Sequence, residues 1–500
     1  MKIYLVDAIR WINYIFLSLI AVSCFYQFVD EPTYISDVHR FIFIAYLSIF
    51  ILFCHQKFIR ISPFLLIFLF LITIVVNQRL AVISIDTQYS QRLYRLDISQ
   101  ALITEYVLVF FSYLAIVAFI VFLSGAMLKQ RFSDQWLSNI KNRGLRIGVL
   151  ASLFLLAVIW EIYNYANGGF LGGQSTVQNG FMQRYVLSIV KPDVFFYMAL
   201  ALLFSGSQEF KKKNLRFSVV LILSFLVWKL VSGGKDGLLM LAIFYFSFCA
   251  FFRLENKVNI SLRVLIYGFL LVLFALISFL YIDVFRVLLW AGGSISDITD
   301  LYTRLESDQA LRALIGRLSN RLSIFDESFF SLYHQELGFA PINYLVNLES
   351  TFKLVIDVII PSTLYPDLVR PQYALAISQG LDYAYNAMGI KVMTGYVWGF
   401  VGFFGYLFGK PLGALFAACW VLGGILYFSF LAKYIFPRTL AVYFLLYHLP
   451  VWLYLFLSTM GLEHSASWFV HIPLINIINY CFYALLYNLA LGLLRSLRFQ

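Results

Sequence analysis

The stretch from Val284 to Lys391 holds side chains that could do chemistry. Arg286, Arg304, Arg312, Arg317 and Arg321 come first, and Asp326, Glu327, His334 and Glu336 follow. Guanidinium groups bind phosphate oxygens in a bidentate fork, and a positioned carboxylate or imidazole can take a proton from an attacking hydroxyl. Within this stretch RALIGRLSNRLSIFDESFFSLYHQELG, Arg312 to Gly338, has apolar positions that fit a helix. Arg317 and Arg321 then lie one turn apart on one face, which suits a pyrophosphate. Ion pairing of Arg317 with the nearby acids is an equal alternative. Asp326, Glu327, His334, Glu336 and Asp382 are the candidates for a general base, and their spacing does not rank them.

Three further patches carry polar chemistry. SGGKDG, Ser232 to Gly237, gives a tight turn with free backbone N–H groups ahead of an apolar helix, an anion site with Lys235 as its ammonium. Lys235 paired with Asp236 at a helix end is the competing reading. LDYAYNAMGIKVMTGYVWGFVGFFG, Leu381 to Gly405, places Asp382, Tyr383 and Asn386 in a Tyr- and Gly-rich border segment. Such rings stack on sugars, and they also form interfacial belts. The Gly-rich connection 166–190 ends in a basic site at Arg184. His464 and His471 read as interfacial, and His448 beside Pro450 reads as buried and hydrogen-bonded. No HExxH, paired-carboxylate metal turn, Walker loop or GxSxG occurs, so we expect no metal, nucleotide or other cofactor.

The elements that must position these residues are membrane spans. The 500 residues are 61% hydrophobic and only 13% charged, with mean hydropathy +0.82. A soluble domain carries about a quarter charged residues. Runs such as PFLLIFLFLITIVV do not alternate, which excludes a barrel and leaves helices. The reading is an all-α polytopic membrane protein with about twelve spans, near 10–28, 41–54, 62–77, 104–126, 147–165, 191–206, 217–232, 237–253, 264–283, 411–433, 438–458 and 473–494. It divides into spans one to nine in 1–283, a large external loop with helical and re-entrant segments in 284–410, and spans ten to twelve in 411–500.

Charge orients the spans. Lys57 and Arg60, Lys129 to Arg146, Lys211 to Arg216, Arg253 to Arg263, Lys433 and Arg438, and Arg495 and Arg498 fall on one side. The positive-inside rule makes that side cytoplasmic, with both termini there. The alternation requires 393–409 not to cross, and Lys410-Pro411 marks the break before span ten. The net charge of +11 is spread over short loops and is not a nucleic-acid stripe. Lys2 and Arg10 precede an apolar run that reaches Phe28, which reads as an uncleaved first span. Cys24, Cys54, Cys249, Cys419 and Cys481 lie in or beside apolar spans without CxxC spacing and read as packing residues.

With these patches in view, the chain resembles the O-antigen polymerase family, which is related to the O-antigen ligases. SGGKDG running into LLMLAIF resembles that family's small-residue turn, basic residue and apolar helix, mapping the basic position onto Lys235, where the family usually has Arg. SNRLSIFDESF maps an early-loop Arg onto Arg321, QNGFMQRYV maps a basic site onto Arg184, and GFVG at 399–402 is similar to the family's Gly-aromatic-x-Gly start of the helix after the loop. Many ligases have a His-rich motif with an Asn late in the loop. Here the corresponding YAYN, Tyr383 to Asn386, has no His, which favours polymerase over ligase. The resemblance covers the layout and about a tenth of the residues.

The resemblance implies a metal-independent glycosyltransferase in the bacterial inner membrane. It would join undecaprenyl-pyrophosphate-linked repeat units into a surface polysaccharide at the periplasmic face. The catalytic set would be Arg321, Lys235, Glu327 and Asp382, and substrate would be bound by Arg184, Arg317, Arg312, Asn386 and Tyr383. The lipid bilayer, the lipid-linked glycan and a chain-length regulator protein are the expected partners, with no nucleic acid. A flippase or transporter without catalysis, and an O-antigen ligase, are the alternatives.

Overall fold

The structure is a computed structural model. It describes residues 2–3, 7, 9, 11–15, 18–19, 21–22, 63–77, 100–129, 140–166, 190–206, 210, 213–231, 237–253, 258–259, 332, 399–459, 469 and 472–496. The fold is helical. Its elements are α1 (Pro63–Ile72), α2 (Gln100–Lys129), α3 (Arg143–Ala166), α4 (Pro192–Phe204), α5 (Leu215–Val231), α6 (Gly237–Arg253), α7 (Gly399–Phe408), α8 (Lys410–Phe430), α9 (Arg438–Tyr443), α10 (Leu449–Thr459) and α11 (Ile472–Ser496). A two-residue antiparallel ladder pairs Lys2–Ile3 with Val258–Asn259. The expected spans near 41–54 and 264–283 lie outside the described residues. So does the 284–391 stretch apart from Leu332.

The solvent of this fold is hydrocarbon. Leu108, Ile116, Phe119 and Leu123 on α2 and Leu155, Ile159 and Ile162 on α3 are exposed at helical spacing, as are Leu412, Leu415 and Phe430 on α8 and Leu485, Leu489 and Leu493 on α11. Stripes this long and apolar have no place on a water-facing surface. Four helical stretches, Arg143–Tyr163, Lys410–Ile435, Arg438–Ser458 and Ile472–Ser496, are long and apolar enough to cross a bilayer, and shorter apolar helices accompany them. Exposed serines bond the preceding turn of their own helix, Ser112 to the Leu108 carbonyl and Ser152 to the Gly148 carbonyl. A hydroxyl with no water to meet does this. The protein is therefore a helical membrane protein.

Proline and glycine set the breaks. Pro450 has no N–H to give, and the turn just before it, Phe444–His448, is π, with the Leu449 N–H donating to the Phe444 carbonyl. A second π turn, Leu431–Ile435, closes α8 with the Phe436 N–H on the Leu431 carbonyl, ahead of Pro437. The Gly409 backbone takes φ 77°, a left-handed value that suits glycine, and the chain reverses there. Phe408 stacks on Phe416 with centroids 4.0 Å apart, and Phe404 meets Trp420 at 6.3 Å. These pairs run antiparallel, so α7 folds back along α8. Its ten residues span about 15 Å, half the thickness of a hydrocarbon core.

The core is aromatic and interlocked by small residues. Phe196 stacks on Phe225 at 3.9 Å, and Tyr197 on Tyr447 at 3.7 Å. Gly424 lets Trp452 lie against α8, where a Cβ would overlap the indole ring. His448 is buried between the rings of Phe428 and Phe444. Of the three described cysteines Cys249 is buried, while Cys419 and Cys481 are exposed, and all are free thiols.

Candidate functional site

Four charged side chains converge where α3, α4 and α5 meet. Glu161 stands five residues before the end of α3 at Ala166. Lys191 is the N-cap of α4, and Pro192 and Asp193 open its first turn. Lys229 lies in the last turn of α5. The local placement follows from helix physics. Proline is preorganised for the first turn, an acid there faces the positive end of the helix dipole, and a cation in a last turn faces the negative end.

The contacts form one connected group. The Lys229 ammonium lies 3.0 Å from Asp193 Oδ1 and donates to Oδ2 at 3.1 Å. It sits 4.6 Å over the Trp228 ring. The Trp228 Nε1–H donates to Glu161 Oε2 at 2.8 Å. Lys191 is within Coulomb reach of Glu161, Asp193 and Lys229, and its backbone N–H donates to Asn479 Oδ1 of α11 at 3.2 Å. One tryptophan thus holds an acid through its edge and an ammonium over its face. The side chains of Lys229 and Asp193 are 15% and 29% exposed, so the pair is only partly withdrawn from its surroundings.

Gly237, the first residue of α6, packs directly on this group. A Cβ there would lie 2.8 Å from Lys229 Cγ. Of the SGGKDG motif, Gly237 alone is described. An apolar groove of about 390 Å³ descends from Trp228 along the outside of α3 and α5.

Two other polar clusters brace the bundle. At the opposite end of α3, Arg146 donates to the Tyr483 hydroxyl at 3.0 Å and lies 4.3 Å over the Tyr487 ring. At the α7–α8 turn the Tyr113 hydroxyl donates to the Gly409 carbonyl at 3.3 Å, and Lys410 pairs with Glu105. Leu332, buried, lies on the same hairpin, its Cδ2 2.6 Å from where a Gly405 Cβ would stand. That contact brings Leu332 to α7.

Arg321, Lys235, Glu327, Asp382, Arg184, Arg317, Arg312, Asn386 and Tyr383 all lie outside the described residues. The described neighbours of Lys235 are Val231 and Gly237, and Arg184 precedes Lys191 by seven positions. Among the described residues no group of His, Cys, Asp and Glu is arranged to hold a metal ion. In the sequence Glu161 and Lys229 are charges near the ends of apolar spans, while Lys191, Asp193 and Trp228 do not stand out one by one. A signal was present in Lys-Pro-Asp at 191–193, a cation, a proline and an acid at a helix start. No family model matches the chain, and no curated protein or solved structure matches it.

Proposed function

We propose that this protein polymerises undecaprenyl-pyrophosphate-linked oligosaccharide repeat units into a surface polysaccharide at the external face of the bacterial inner membrane. About twelve spans cross it, both termini are cytoplasmic, and α7 is a re-entrant half-helix beside the large external loop. The acceptor sugar's hydroxyl oxygen bonds the anomeric carbon of the growing chain. The bond from that carbon to the pyrophosphate breaks, lipid pyrophosphate leaves, and the hydroxyl proton passes to Glu327 or Asp382. Lys235, Arg321, Arg184 and Arg317 hold the pyrophosphate and offset its charge without a metal.

The observation that carries this reading is the group of Lys191, Asp193, Lys229 and Glu161 packed under Gly237. It lies at the helix ends that, in the sequence, flank the Arg184 connection and the SGGKDG motif. The experiment is a sugar-stained gel of surface glycan from cells lacking the protein. The expected result is a ladder collapsed to core plus one repeat, restored by the wild type and not by Lys235→Ala or Arg321→Ala. Unchanged chain lengths in both variants would remove the clamp assignment.

A second reading is a transporter of the same lipid-linked units. The charges within the helices favour it, since intramembrane ionisable residues mark transport paths as well as binding sites. The two readings part cleanly: loss of a transporter traps repeat units inside, whereas loss of a polymerase leaves single units exported and unjoined.

A further inference from the structure

The start of α4 lies inside the bundle, and α9 and α11 bring further polar groups to it. Lys191 gives its backbone N–H to Asn479 Oδ1 of α11 at 3.2 Å. Asn476 stands three residues before Asn479, on the same face of α11. Both asparagines are buried, at 0% and 1% exposure. Asn476 Oδ1 accepts from the Tyr443 hydroxyl of α9 at 3.4 Å. The Asp193 charge in the first turn of α4 acts on that same hydroxyl. One buried phenol thus links Asn476 to Asp193.

One atom of this group is left over. Asn476 Nδ2 is buried and has no protein acceptor among the described residues. Asn479, by contrast, gives its Nδ2–H to the Ile475 carbonyl at 2.8 Å. A buried amide N–H without an acceptor is costly, and ordered water is a common partner for one. Exchanging the two ends of the amide leaves its oxygen over instead. Water fits there too, because it both accepts and donates. The charges select against ions. Lys191 and Lys229 repel a cation, and Asp193 and Glu161 repel an anion. The 3.4 Å reach from Tyr443 is long for a hydroxyl donor, so the two side chains are not drawn fully together.

We propose that an internal water is held between α4, α9 and α11. It accepts from Asn476 Nδ2 and donates to the Asp193 carboxylate, with the Tyr443 hydroxyl beside it. An internal water has about three partners, and Asn476, Asp193 and Tyr443 supply them. The charged group at the start of α4 is then hydrated from within the bundle as well as paired. Ionisable groups at membrane depth are kept where they pair or meet water. The site stands apart from the proposed function, and neither needs the other.

The test is X-ray radiolytic footprinting of the full-length protein in nanodiscs, read by mass spectrometry. A bound water split by the beam yields a hydroxyl radical that oxidises the ring next to it, so a buried ring beside water is labelled and a dry one is not. Tyr443 is labelled well above Phe154, a buried ring set among Phe196, Phe225 and Trp228. Asn476→Leu lowers Tyr443 labelling about tenfold, because a water that loses one hydrogen bond is held about that much less tightly. Asn476→Ser keeps a hydroxyl and retains the labelling. Phe154 stays unlabelled in both variants, which shows a closed core. Wild-type labelling of Tyr443 no greater than that of Phe154 means a dry site and overturns the proposal, whether or not the variants fold. Undiminished labelling in Asn476→Leu, or equal loss in both variants, means that Asn476 does not hold the water and also overturns it. Labelling that changes when choline replaces sodium puts a cation there and overturns it as well.

Discussion

Removing Lys229 alone and removing it together with Asp193 should give very different stabilities. At 3.0 Å the two charges attract by about 5 kcal/mol at an effective dielectric of about 20. Withdrawing each from water costs several kcal/mol, so the net worth of the pair is small. Leaving one charge behind is what costs. A fully buried orphan costs about 3–5 kcal/mol, and an exposed one about 0–1. With 15% and 29% exposure the pair lies between, and Lys191 still partly offsets Asp193. Lys229→Met and Asp193→Asn should therefore each destabilise by about 2 kcal/mol. The double variant should lose only about 1 kcal/mol, which gives a coupling near 3 kcal/mol in the double-mutant cycle. Steric-trap unfolding in micelles measures these values at equilibrium. A double variant as unstable as the sum of the singles would refute the pairing, and with it the geometry on which the site is built. Glu161→Gln serves as the control, because a carboxamide oxygen still accepts from Trp228.

Three further outcomes follow from the packing and a fourth from the charge pattern of the sequence. Gly237→Ala should cost about 1–3 kcal/mol by pressing on the root of Lys229, and should shorten the surface ladder as well, both readable in one complemented strain. Gly424→Ala should cost a similar amount through Trp452, and adding Trp452→Leu should recover part of it, so that the thermal midpoint of the double variant lies above the additive value. Tyr113→Phe should cost about 1 kcal/mol or less, since its bond to the Gly409 carbonyl is 3.3 Å long, and hydrogen exchange should rise at the α7–α8 turn before elsewhere. Reporters fused after Asn214 and after Gly172 should read cytoplasmic and external respectively, and the reverse pattern would invert the whole topology.

Much of the frame was legible because hydrocarbon imposes a simple rule on sequence. A run long enough to cross must be apolar and helical, so α3, α8, the α9–α10 stretch and α11 fall within a few residues of the expected spans. The break before α8 was readable from Lys410-Pro411, and Gly409 supplies the reversal there. The charged group was legible only in part. Glu161 and Lys229 stand out as charges near span ends, but their partners are set by which helices touch, and Asp193 is 36 positions from Lys229. Trp228 was hidden for a different reason. In an aromatic-rich chain a single indole carries no signal until its N–H is seen to point at an acid.

The charge balance of this group bears on what it can do. Lys191 and Lys229 oppose Asp193 and Glu161, so the group is formally neutral. A neutral group of pairs is cheap to keep inside a bilayer, whereas an unbalanced cation there would be costly without an anion beside it. The group is therefore suited to holding the ends of α3, α4 and α5 in place. On the proposed function, the excess positive charge that a pyrophosphate needs comes from the connections, and the sequence places Arg184 and Lys235 in the two that lead into α4 and α6. On this division the membrane layer sets position and the loops supply charge. Loop cations should then change substrate affinity with little effect on folding, while Lys229 and Asp193 should change folding first.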